Sequence, residues 1–227
     1  MCRIVGIIPA RGGSKGIPRK NIKLMLGKPL IQHTIEAALA SKSIDEVYVS
    51  TDDSEIASIS ESLGALIIDR PVELAGDRVS TFDVMKHAEE TLNSPDVLVV
   101  LQPTSPLRNA QEIDKAIALL EPDVDTVVGV CELKKYQWDI SGNYAQPAFV
   151  ERLPRQVMKK KYGENGSIYV TRSKTYKDSD SQLGMGILSR GKTKLFEMEE
   201  KHSYEIDCDY DWYIIELLLK LELENKE

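Results

Sequence analysis

The sequence predicts an α/β domain in three layers: a mostly parallel central sheet with helices on both faces. Three observations point there. Short β-branched runs alternate with amphipathic stretches of helical length from Ile4 to Cys131, the pattern of β-α-β units. After Asp96, the run Val97-Val99-Val100-Leu101, with Leu98 between, is apolar without alternation, as in a strand covered on both faces. The first run, Ile4 to Ile8, passes directly into a glycine-rich loop, and sheets of this class take ligands beyond the carboxyl ends of their strands.

The elements follow in order. Ile4 to Ile8 is long enough for one buried strand and too short for a helix. Lys28-Pro29-Leu30 opens a helix to about Ser41, with Pro29 in the first turn, where its missing N–H costs little. Glu46 to Thr51 is a second strand, and Asp52-Asp53-Ser54 caps a helix through Leu63. Ala65 to Asp69 is a short third strand, followed by a Pro71 turn and a helix from Ser80. Asp96 to Leu101 is a central strand, Asn109 to Leu120 a helix, and Asp125 to Cys131 a strand. The alternation breaks between 132 and 162, which reads as a protrusion too long and too mixed for a crossover. Tyr162 to Val170 is a turn entering a strand, and residues 172–193 are loops with a short helix. Lys194 to Met198 is a strand, and the last helix runs to about Leu223. Loops 9–21, 51–53, 70–81 and 102–108 should share one rim.

Composition narrows the function. With 227 residues, 42% of them hydrophobic, the chain can bury a single core, so 1–227 is read as one domain. The formal charge of -7 argues against general nucleic-acid or membrane binding. Cys2, Cys131 and Cys208 lack metal or redox spacing and read as reduced thiols in a cytoplasmic protein. No apolar run is long enough to span a bilayer.

Against that acidity, the stretch from Met1 to Ile35 holds seven Arg or Lys and no carboxylate. The loop Pro9-Ala10-Arg11-Gly12-Gly13-Ser14-Lys15-Gly16 lets backbone N–H groups approach phosphate oxygens beside basic side chains. It is not a P-loop, because Gly16 follows Lys15 where Ser or Thr is needed, and it lacks the dinucleotide spacing. A glycine-rich surface turn is the bland alternative, and the local charge excess argues against it. Carboxylates at 205, 207, 209 and 211 alternate, so on an extended strand they would face one side and call for a cation or a helix N-terminus. Asp209 and Asp211 alone could instead lie in the first turn of the last helix. His33 and His87 sit in helical runs and read as structural.

Ile7 to Asn21 resembles the N-terminal nucleotide-binding motif of the acylneuraminate cytidylyltransferases, or CMP-sialic acid synthetases. Arg70-Pro71 through Leu74-Ala75 to Asp77 and the run Leu101 to Arg108 resemble two further motifs of that family, and Asn165-Gly166-Ser167-Ile168-Tyr169 a fourth. The resemblance spans roughly residues 4 to 216. It implies a nucleotide-diphospho-sugar transferase-like fold, CTP as donor, a nine-carbon sugar acid as acceptor, Mg²⁺ or Mn²⁺, and a homodimer made through the 132–162 protrusion. By the same resemblance, Ala10, Arg11, Gly12, Gly13, Ser14, Lys15, Lys20, Asn21, Arg70, Asp77 and Ser80 form the nucleotide site. Arg11, Lys15 and Asp207 are then catalytic. Gln102, Thr104, Ser105, Arg155, Asn165, Gly166 and Ser167 face the sugar acid. Asp207, with Glu205, holds the metal.

Two departures bear on the substrate. Relatives acting on the eight-carbon acid Kdo carry an acidic metal ligand in the loop where this chain has Gln102 to Ser105, which favours a sialic-type acceptor. Sialic acid enzymes often carry an arginine where this chain has Gly163, so either Arg155, Lys159 or a base from a partner subunit, such as Lys134 or Lys135, takes the carboxylate, or the substrate sits differently. The implied reaction is in-line attack of the anomeric hydroxyl on the α-phosphorus, with no protein nucleophile. Legionaminic or pseudaminic acid is the runner-up acceptor. An ordinary sugar 1-phosphate nucleotidyltransferase and a nucleotide-binding regulatory protein without turnover are the competing readings.

Overall fold

The computed structural model describes residues 2–148, 154, 157, 159–177 and 191–224. The first strand, β1 (Ile4–Pro9), buries Val5 to Ile8 and ends at the basic loop. A small hairpin follows, β2 (Leu24–Met25) with β3 (Lys28–Pro29). Its turn places Leu26 and Gly27 at φ 50 and 79, left-handed values that glycine adopts without strain. Sequence periodicity assigned Lys28 and Pro29 to the next helix. In fact Pro29 is extended, at ψ 139, and precedes α1 (Leu30–Leu39).

Then come β4 (Glu46–Thr51), α2 (Ser54–Ser62), β5 (Leu66–Asp69), α3 (Thr81–Thr91), β6 (Val97–Leu101), α4 (Ala110–Ala118) and β7 (Thr126–Glu132). The hairpin β8 (Trp138–Ser141) and β9 (Tyr144–Pro147) forms its own two-stranded sheet. β10 (Tyr162–Arg172), α5 (Ser173–Lys177), β11 (Thr193–Glu197) and α6 (Asp209–Glu224) complete the chain.

The central sheet has seven strands in the order β11-β7-β10-β6-β1-β4-β5. β1 pairs in parallel with β4 and β6, β4 with β5, and β11 with β7. β10 alone runs against its neighbours, β6 and β7. Alternate residues of each inner strand feed opposite faces. Ile8, Val49, Val99 and Leu101 pack with Ile31, Ile35, Ile56 and Ile113 of α1, α2 and α4. Val5, Ile7, Leu98 and Val100 pack with Phe82, Met85 and Tyr176 of α3 and α5. These are the expected three layers, and β6 is buried at every position. A third cluster, Ile17, Met25, Leu30, Leu107, Ile206, Trp212 and Ile215, seats α6 across the loops at the carboxyl end of the sheet.

The helix caps account for the element starts. Asp53 accepts from the N–H groups of Glu55 and Ile56 at the head of α2. Ser80 with Asp83 and Asn109 with Glu112 form reciprocal capping boxes on α3 and α4. In the 132–162 segment, both strands of the β8–β9 hairpin are exposed along their length. Arg155 lies outside the described residues.

Of the two readings of the acidic C-terminal segment, the structure takes the one with Asp209 and Asp211 in the first turn of the last helix. The segment is not a strand: residues 200–203 form a 3-10 turn, and α6 begins at Asp209. The Asp211 carboxylate accepts from the backbone N–H groups of Asp207 and Cys208, both at 2.9 Å. A carboxylate three residues into a helix satisfies amides that a strand would leave to a neighbour, and it complements the helix dipole. The alternation of charges therefore ends at Asp207.

Candidate active site

β1 lies between β4 on one side and β6 on the other, so the chain diverges at its carboxyl end and opens a crevice there. Ala10 is buried and donates its N–H to the Ser50 carbonyl at 2.9 Å, which starts the basic loop at the floor. The loop then folds back, and the Asn21 amide donates to the Arg11 carbonyl at 3.0 Å. Outside the cleft, Arg19, at φ 55, pairs with Asp53 and Glu55 at the head of α2. The Gly12 N–H donates to Asp52 at 3.0 Å, and a Cβ on Gly12 would run into the Asp53 side chain. Gly13 has open space around it. These contacts explain the glycine at 12, and the exposed one at 13 leaves backbone free to meet a ligand.

The result is a cleft of about 340 Å³, the lower end of the range for small-molecule sites. Arg11, Ser14, Lys15, Gly16, Lys20 and Asn21 line one wall; Arg70, Leu74, Asp77, Val79 and Thr81 line another; Gln102, Pro103, Thr104 and Asp207 close the third. Three of the four loops expected on the rim, 9–21, 70–81 and 102–108, thus line the cleft, joined by Asp207 from the C-terminal segment, while the 51–53 loop does not line it and instead holds the basic loop through Asp52.

A family model described as cytidylyltransferase matches residues 5–226. The chain belongs to the cytidylyltransferase family. It is 33% identical to N-acylneuraminate cytidylyltransferase A of Danio rerio over 94% of its own length and 50% of the relative's. It is 41% identical to the N-acylneuraminate cytidylyltransferase of Escherichia coli over 61% and 31%. The chain therefore spans half or less of these two relatives. It is 34% identical to the CMP-N,N'-diacetyllegionaminic acid synthase of Legionella pneumophila over 98% of both chains. Among solved structures, CMP:2-keto-3-deoxy-manno-octonic acid synthetase complexed with CTP superposes with a TM-score of 0.74 at 18% identity, over 97% of this chain and 99% of that one. That likeness concerns the fold.

In this cytidylyltransferase fold the basic side chains do not stand free. Asp77 takes Arg11 through Oδ1 at 2.9 Å and Lys15 through Oδ2 at 2.7 Å. The hydrogen bond from Lys15, with help from Arg11, holds the Asp77 carboxyl below its usual range. Arg11 also donates to the Ala75 carbonyl at 3.2 Å. Arg70 is 7% exposed and donates to the Ser50 carbonyl at 2.6 Å and hydroxyl at 3.2 Å. Burial pushes its pKa down to about 10, which leaves it charged at neutral pH.

Lys20 bridges the two halves of the site. Its Nζ donates to the Ile206 carbonyl at 2.6 Å, and the Ile206 N–H donates to the Thr104 carbonyl at 2.9 Å. Burial lowers the Lys20 pKa against the pull of Asp207 and Glu205. Gly16 abuts the Asp207 carbonyl so closely that any Cβ there would collide with it. Asp207 faces the cleft, whereas Glu205 lies behind it, over Gly166. Gly166 has φ +61, and a Cβ would overlap the Glu205 carboxylate. Burial, then the Asp207 charge, pushes the Glu205 carboxyl up to about 7.

Several residues expected at the ligand are turned elsewhere. The Ser80 hydroxyl is taken by Asp83 at 2.7 Å, because α3 starts there, and its neighbour Thr81 lines the cleft instead. Ser105 and Ser167 are fully buried. Asn165 is buried too: its Nδ2 lies 3.1 Å from the Met198 sulfur and donates to Ser203 Oγ at 3.0 Å, and its Oδ1 accepts from the Ser167 N–H at 3.2 Å. Asn165 to Ser167 occupy an irregularity in the β10–β7 pairing, where the register shifts between Glu164 and Tyr169. A bulge re-aims backbone and needs the left-handed residue that Gly166 supplies.

Arg108 carried no assigned role in the sequence. It is 3% exposed, and it donates to the Ser167 carbonyl at 2.6 Å, Thr34 Oγ1 at 3.0 Å and the Gln102 carbonyl at 3.4 Å. It thereby locks the Gln102 loop to the bulge. The signal was its place at the end of a strongly turn-biased segment, where an arginine is as readily surface as core.

Proposed function

We propose that the chain transfers CMP from CTP to the anomeric hydroxyl of a nine-carbon 3-deoxy-2-keto sugar acid and releases pyrophosphate. The observation that carries this is one cleft with Arg11, Lys15 and Lys20 on one wall and Asp207 on another. Arg11 and Lys15 bind the β- and γ-phosphates, and Lys20 binds toward the α-phosphate beside the carboxylates. Buried Arg70 lies on the base side. The acceptor enters past Gln102 and Thr104. Its hydroxyl forms a bond to the α-phosphorus, the bond to the bridging oxygen breaks, the hydroxyl proton is lost and pyrophosphate leaves. Catalysis is positioning plus charge stabilisation.

A divalent cation fits the acidic end. Burial, then the Asp207 charge, disfavours the ionised form of Glu205, and neither carboxylate has a side-chain hydrogen bond or an ion pair within 4 Å among the described residues. Asp207 at the cleft, with Glu205 behind it, suits Mg²⁺ or Mn²⁺, although the described residues form no cluster of three or more such ligands. When bound, the cation supplies charge neutralisation at the phosphates. The exposed hairpin, with Ile140 81% and Tyr144 83% accessible, supports a homodimer made through that protrusion. The free cysteines and the lack of any helix among the described residues able to cross a membrane are compatible with a cytoplasmic enzyme.

Legionaminic-type acids are a second reading of the acceptor. Gly163 pairs with Cys131, and a Cβ there would press on Leu133 at 3.1 Å, so an arginine is not accommodated without moving Leu133. The relative matched over its whole length bears a legionaminic acid name. Pyrophosphate release with CTP and Mg²⁺, comparing N-acetylneuraminic, legionaminic and pseudaminic acids with Kdo, tests the proposal. One nine-carbon acid turned over far faster than Kdo supports it. No turnover with any of them refutes it.

A further inference from the structure

We infer that Asp77 is a specificity-determining residue that occupies the triphosphate seat as an internal anion and must be displaced before nucleotide binds. This rests on reading Arg11 and Lys15 as that seat. The carboxylate spans the pair with one oxygen on each, at 2.9 Å to Arg11 and 2.7 Å to Lys15. Both bases project from the β1 loop, while Asp77 comes from the loop after β5, so the contact ties opposite walls of the cleft together. The Arg11 bond to the Ala75 carbonyl, on the same loop as Asp77, reinforces the tie.

The arrangement is more specific than a surface ion pair. Asp77 is not needed to orient a helix, since the α3 cap is made by Ser80 and Asp83. Its side chain is 44% exposed, so its removal opens no buried void. Lys15 is 73% exposed, and Asp77 is its ion-pair partner among the described residues. Two cations close enough to share one carboxylate are spaced for vicinal phosphate oxygens, which a carboxylate mimics only in part.

The consequence is a threshold in ligand charge. A weak anion that meets Arg11 and Lys15 merely exchanges one pair of ion contacts for another and gains little. A polyphosphate brings more charge than Asp77 and more oxygens than two, so it wins the exchange. Asp77 thereby lowers affinity for every anion at this seat and keeps singly charged anions from occupying it.

The test is calorimetric titration of the full chain with inorganic tripolyphosphate and, separately, with cytidine. Losing two exposed ion pairs that compete with ligand corresponds to about a tenfold gain in affinity. Asp77→Asn should bind tripolyphosphate about tenfold tighter than wild type, with cytidine binding unchanged. Asp77→Glu, which restores the charge, should return affinity toward wild type. Equal or weaker tripolyphosphate binding by Asp77→Asn, in protein of unchanged melting temperature, overturns the inference and makes Asp77 a support for the two bases. The outcome is separable from the proposed reaction. Wild-type protein that releases no pyrophosphate with any sugar acid refutes the activity, while the tripolyphosphate comparison still decides the role of Asp77.

Discussion

Lys20 Nζ donates to the carbonyl oxygen of Ile206 at 2.6 Å, joining residues 186 positions apart. That bond holds the end of the basic loop against the segment carrying Glu205 and Asp207. Lys20→Met keeps the length of the stem and removes the charge. Turnover in the pyrophosphate-release assay should fall by about a hundredfold or more, the cost of one charge contact made in the transition state. Near-normal turnover would leave Lys20 a tether only.

Lys15 is the most exposed of the bases in the cleft and has no buried role to lose. Lys15→Ala should fold as wild type and lower turnover by about two orders of magnitude. Unimpaired turnover would remove Lys15 from the chemistry.

Asp207 and Glu205 carry the divalent-cation reading. Asp207→Ala should abolish the Mg²⁺ dependence of activity, and titration with Mn²⁺ in the presence of CTP should lose its high-affinity phase. A metal requirement identical to wild type would move the ligands elsewhere.

Arg108 is a buried cation whose hydrogen-bond acceptors are neutral, and burial, opposed by the Glu112 charge, pushes its pKa down to about 9. Arg108→Met leaves the Ser167 carbonyl and Thr34 hydroxyl without their donor. Urea unfolding should show a loss of about 3 kcal/mol, the scale for stranding buried polar groups. A loss below the error of the method would mean that water replaces the guanidinium.

His202 lies between Glu112 at 2.7 Å and Glu222 at 2.8 Å, linking the head of α4 to α6. The hydrogen bond to Glu112, more than burial opposes it, raises the His202 pKa above 6.5. A raised folded pKa means that this stabilisation is fully present below the unfolded imidazole value and is lost as pH rises through the folded one. At the acid end, burial works against it, but His202 and Lys201 hold Glu222 below its ordinary value, so its share is lost as pH falls through that lowered folded value. The melting temperature should therefore decline from mildly acidic pH toward alkaline pH more steeply in wild type than in His202→Gln. Parallel pH profiles for the two proteins would dismiss the linkage.

Much of the fold was legible because its signals are local. β6 was readable from an unbroken apolar run, α2 from Asp53 and α4 from Asn109, since burial and capping are set by a few adjacent residues. The β2–β3 hairpin was not: two-residue strands carry no periodicity, and Pro29 is as compatible with a helix start as with an edge. The acidic segment left two readings open, a strand or a helix start at Asp209 and Asp211, and the structure chose the second. Alternating charge is a strand pattern, but Asp211 reaches back to the amides of Asp207 and Cys208 and starts a helix two residues after Asp207.

By itself, the sequence determined the layer architecture, the charge asymmetry, and three of the stretches that line the cleft at the carboxyl end of the sheet. These depend on periodicity and on strand direction, both of which are written locally. Only the tertiary structure decided that Asp77 faces Arg11 and Lys15, that Arg108 lies beneath the floor, and that Ser105, Asn165 and Ser167 turn inward. Those pairings join residues distant in the chain, and their geometry depends on packing between whole elements rather than on any neighbour in sequence.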